Sequence, residues 1–89
     1  MSIGLAMLSI ATYVGKLDTI SEQISQAEAD VIKATGDKND VLMKQAQLRL
    51  QMLKALYGLI KDFIEFWKDV IKTTMGLLKQ MNELAQGAR

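Results

Sequence analysis

From Met43 onward, positions alternately three and four apart read Met43, Ala46, Leu50, Leu53, Tyr57, Ile60, Ile64, Trp67, Ile71, Thr74, Leu78, Met81 and Ala85. All but Thr74 are apolar, over about six heptads, which is the seam of a helix packed along its whole length against another helix. A second row, Leu48, Met52, Leu56, Leu59, Phe63, Phe66, Val70, Leu77 and Leu84, lies beside the first. Water is left a stripe along Gln47, Gln51, Lys54, Gly58, Lys61, Glu65, Lys68, Lys72, Gly76, Lys79 and Glu83, with Asp62 and Asp69 at its side. A helix that offers water so little expects neighbours on more than one flank.

The same spacing runs through the start of the chain. Ile3, Ile10, Leu17, Ile24 and Val31 fall seven apart, with Ala6, Tyr13, Ile20, Ala27 and Ala34 in the companion position. This predicts one continuous helix over 3–34. Its second half is amphipathic, with Asp18, Glu22, Gln23, Gln26, Glu28, Asp30 and Lys33 facing out. Its first half has no polar face, because Met1 to Gly15 contains no charged residue. That run is shorter than the ~20 residues that span a bilayer as a helix. It also lacks the leading Lys or Arg and the cleavage site of a secretory signal. The expectation is an apolar segment buried in something larger than a lone hairpin.

Thr35-Gly36-Asp37-Lys38-Asn39-Asp40 is the break. Gly36 suits the left-handed residue just past a helix end, and Asn39 or Asp40 can cap the next helix. So short a connection makes the helices antiparallel neighbours. The predicted fold is all-α: a single domain over 1–89, a two-helix antiparallel coiled-coil hairpin with helix 3–34, turn 35–40 and helix 41–86, assembling into a helical homopolymer. At 1.5 Å per residue the helices measure ~48 and ~70 Å, so ~20 Å of the second extends past its mate.

Composition narrows the function classes. With 89 residues the chain buries only about 60–65 per cent of its unfolded surface, and small chains need disulfides, a metal or partners. There is no Cys and no His, which removes disulfides, Cys/His metal sites, thiol nucleophiles and imidazole acid–base chemistry. No phosphate loop or nucleophile–base pair is present, so no enzyme, catalytic residue, cofactor or metal is expected. Asp62, Glu65 and Asp69 alternate with Lys61, Lys68 and Lys72 and read as a solvated salt-bridge face. The lysine stripe is interrupted by Glu65 and Glu83 on a chain of net charge +1, which argues against nucleic acid as a partner. The charge is unevenly placed, with the first helix net negative and the second net positive, which favours antiparallel pairing or subunit contacts of opposite sign.

The uncharged IGLAMLSIATYVGKL passing into polar SEQISQAEADV, followed by NDVLMKQAQLRLQMLKAL and a long apolar C-terminal helix, resembles bacterial type III secretion needle subunits and EspA-type filament subunits. The resemblance covers most of the chain. It implies a secreted structural subunit at the bacterial cell surface, whose partners are copies of itself, an export chaperone and the effector proteins that pass through its channel. It also implies that Ile3, Leu5, Met7, Leu8, Ile10, Val14, Leu17, Leu50, Leu53, Ile60, Phe63, Ile64, Phe66, Trp67, Ile71 and Leu78 form subunit interfaces. Lys54, Lys61, Lys68 and Lys72 would then face a lumen or an outer wall. Two other readings compete. One is a membrane-active pore former that inserts Met1 to Gly15 and the Phe63 to Trp67 region; the other is a small dimeric helical chaperone or adaptor.

Overall fold

The computed structural model describes residues 3–87 and contains two helices, α1 (Ile3–Gly36) and α2 (Asp40–Gly87). They form an antiparallel hairpin 77 Å long and 15 Å across. The radius of gyration is 21.3 Å, against about 12 Å for a compact domain of this length. Met1 and Ser2, the start of the uncharged run, lie outside the described residues.

Spacing alone dictates which residues meet. Every position of the α1 heptad from Ile3 to Ala34 is buried or half-buried, and so is every α2 seam position from Met43 to Thr74. The centre of the seam is Ile20 packed with Ile60 and Ile64, 5–6% exposed, with Tyr13, Leu17, Ile24, Leu53 and Tyr57 around them. Ala6 and Ala27, both at 0% exposure, let the helix axes approach where a longer side chain would hold them apart. The Tyr13 and Phe63 rings stack at 5.7 Å.

Tyr13 beside Phe63 carries Ile3, ten residues earlier, to about the level of Thr74, the last half-buried seam position. Beyond that level α2 has no partner. Leu78 and Met81 continue the seam in sequence but are 53% and 65% exposed.

The turn differs from the expectation for Gly36, which is the last helical residue rather than the left-handed one. Lys38 takes that role, at φ 55°. The Asn39 N–H donates to the Ala34 carbonyl at 3.0 Å and the Lys38 N–H to that of Thr35 at 3.2 Å, a Schellman pair that places the left-handed residue at Lys38. Asn39 then caps α2, its Oδ1 accepting from the Leu42 N–H at 3.1 Å.

Candidate assembly surface

The seam divides the hairpin into two flanks. One is marked by Asp30 and Arg49, whose Oδ2 and Nη1 lie 3.7 Å apart across the helices. In heptad geometry the α2 positions at multiples of seven from Arg49, namely Leu42, Leu56, Phe63 and Val70, share this flank, with Met52, Leu59 and Phe66 just outside them. Open grooves along it confirm the placement. Leu56 lines one with Thr12 and Lys16, and Leu59, Phe63 and Phe66 line another with Tyr13. The opposite flank carries Lys54, Lys61 and Lys68 of α2 beside Met7 and Val14 of α1.

The expected interface residues therefore fall into two sets. Ile3, Ile10, Leu17, Leu50, Leu53, Ile60, Ile64, Trp67 and Ile71 are buried or half-buried within the hairpin's own seam. A second copy could not use Ile60 or Ile64 without opening the first. Leu5, Met7, Leu8, Val14, Phe63, Phe66 and Leu78 are 42–64% exposed. Met52, Leu56 and Leu59 belong with this set at 43–64%, and their signal was the second apolar row. Lys54, Lys61, Lys68 and Lys72 are all exposed; Lys68 Nζ reaches Glu65 Oε1 at 3.4 Å.

Among the described residues, eighteen large apolar side chains are exposed and six apolar residues are buried. The chain presents 6897 Å² to solvent, whereas a compact monomer of 9.9 kDa exposes about 5200 Å². Each such side chain, fully hidden, contributes about 1.5–3 kcal/mol. Exposed apolar side chains set side by side, as Leu59, Phe63 and Phe66 are around one groove, mark a contact surface.

The first half of α1 is prepared for dry surroundings. The Ser9 and Thr12 hydroxyls donate to the Leu5 and Leu8 carbonyls, each at 3.0 Å, so hiding them strands no donor. Because α1 runs unbroken past Gly15, it holds an eighteen-residue window long and apolar enough, by length and composition, to cross a membrane, with 11% of it buried in the hairpin. Counting only the uncharged run misses this, since Lys16 and Asp18 do not interrupt the helix.

Comparison with known proteins adds one likeness. The chain is 30% identical over 79 residues to the ATP synthase subunit delta of Myxococcus xanthus, an alignment that takes in 89% of this chain and 43% of that protein. The chain thus spans less than half the length of this relative. No family model matches the chain. No solved structure matches it.

Proposed function

We propose that this protein is the repeating structural subunit of a helical homopolymer, a secreted filament or needle at the bacterial surface that serves as a protein-export conduit. The observation that carries the reading is the pair of exposed apolar surfaces, the α2 row of Leu56, Leu59, Phe63 and Phe66 and the outer face of α1 around Met7 and Leu8. One copy hides neither, and self-association hides both. The conduit, the surface location and the effector and chaperone partners rest on the resemblance to secretion filament subunits. The relative's name makes it a subunit of a larger machine, in keeping with a chain that works by packing on other chains. Sedimentation velocity across a dilution series, with negative-stain microscopy of the concentrated sample, tests the proposal. Fibres or rings that appear with concentration support it, and a stable monomer at high concentration overturns it.

A second reading is favoured by the apolar window of α1 and its internally bonded hydroxyls: insertion of α1 in lipid. Leakage of dye-loaded vesicles by freshly diluted protein separates the two, since a polymer subunit need not leak them.

A further inference from the structure

The two flanks also indicate how one copy meets the next, an argument that rests on the self-assembling reading above. The α2 ridge is bulky, with Leu59 52%, Phe63 42% and Phe66 56% exposed, and Asp62 and Asp69 border it on the far side from the seam. Neither aspartate has an ion pair within the hairpin among the described residues. The opposite flank is the converse. On its α1 side Gly4 and Ala11 leave room, and a Cβ added at Gly4 would meet nothing within 4 Å. On its α2 side stand Lys61, Lys68 and Lys72, of which Lys68 alone makes an ion pair within the hairpin among the described residues.

We propose that the α2 ridge of one copy docks on the lysine flank of a second copy, parallel to it and shifted along the axis by about one heptad, ~10 Å. At this shift Phe66 lies over Gly4 of the next copy and Leu59 over Ala11, so large side chains fill the gaps above small ones, while Phe63 meets the apolar Met7. The same shift brings Asp62 to the level of Lys68 of the next copy and sets Asp69 between the levels of Lys72 and Lys79. Apolar fit supplies the affinity and the charges fix which faces meet. Pairing the ridge with itself sets bulk against bulk and aspartate rows side by side. Lipid is a poor occupant because the two carboxylates would enter it with the ridge. The surfaces that meet are different and the shift is not zero, so the contact repeats without closing, which is what a filament requires.

The chain has no cysteine, so introduced thiols report without background. Ala11→Cys and Leu59→Cys proteins, each at an exposed position, are oxidised separately and as a mixture at concentrations where the protein assembles. The expected result is a disulfide-linked dimer in the mixture and none in either protein alone, because only a Cα separation below about 7 Å permits the bond. Self-linking by Leu59→Cys, or an assembled mixture that does not cross-link, overturns the docking mode and leaves self-assembly standing. Failure of the unmodified chain to sediment above monomer at any concentration overturns self-assembly itself. As a second measurement, Gly4→Leu is expected to melt in dilute solution no lower than the unmodified hairpin, since it replaces a helical glycine with open space around it, while raising the concentration needed for assembly at least tenfold. Unaltered assembly overturns the docking mode.

Discussion

The two halves of α1 use the same seam for different ends. From Leu17 to Ala34 the inward positions are apolar and the outward ones, Ile32 apart, are polar or small, among them Asp18, Glu22, Gln23, Gln26 and Glu28, so most of the hairpin's apolar surface there is covered once α2 lies against it. From Ile3 to Gly15 the inward positions are equally apolar, but the outward ones include Leu5, Met7, Leu8 and Val14, 45–64% exposed. The seam folds the chain, and the outer face decides whether folding ends the matter. On the self-assembling reading, stability and association therefore reside on different residues and can be altered separately.

The largest effect expected from breaking that separation is at Ile64. With 5% of its surface exposed, Ile64→Asp places a charge in the seam and costs about 3–5 kcal/mol, so circular dichroism of dilute protein should show the hairpin unfolded. Met7→Glu stands at the other pole, on a side chain already 59% exposed. It should change the unfolding free energy of the dilute hairpin by no more than about 0.5 kcal/mol. Yet it should raise the concentration for assembly at least tenfold, about 1.4 kcal/mol, read by sedimentation. If Met7→Glu melts the hairpin, or Ile64→Asp leaves it folded, the division of labour is wrong.

Smaller effects sharpen the picture at the turn. Gly36→Ala at a helical position with nothing within 4 Å of the added Cβ should stabilise by about 1 kcal/mol. Lys38→Gly at the left-handed position should stabilise by about 0.5–1 kcal/mol. Both are measured by urea unfolding at low concentration; the opposite signs would restore the left-handed role to Gly36. Smallest is Asp30→Asn, which removes a 3.7 Å ion pair between side chains 54% and 43% exposed. It should cost a few tenths of a kcal/mol, and less in high salt.

The hairpin was legible because its signal is long. Thirty-odd residues of repeating spacing leave no other period for the seam, and Met43 through Thr74 fall inward as their positions dictate. The turn was less legible, because a glycine marks where a left-handed residue is cheap, not where the last helical turn ends. Here the Ala34 and Thr35 carbonyls find their donors in Asn39 and Lys38, and the chain accepts a lysine at positive φ. The surface residues were legible as a second row but not as a separate set. Spacing shows which side chains are apolar, while only the paired helices show that Ile60 and Ile64 are already spent and Leu59 and Phe66 are not.

The unmatched end of α2 has a thermodynamic consequence of its own. Past Thr74 roughly a dozen residues coil on backbone bonding alone, a length at which peptides in water barely hold their shape. If copies assemble as proposed, order there depends on them: ellipticity per residue should climb as the sample is concentrated, and the last turns should exchange their amide protons slowly only in the assembled state.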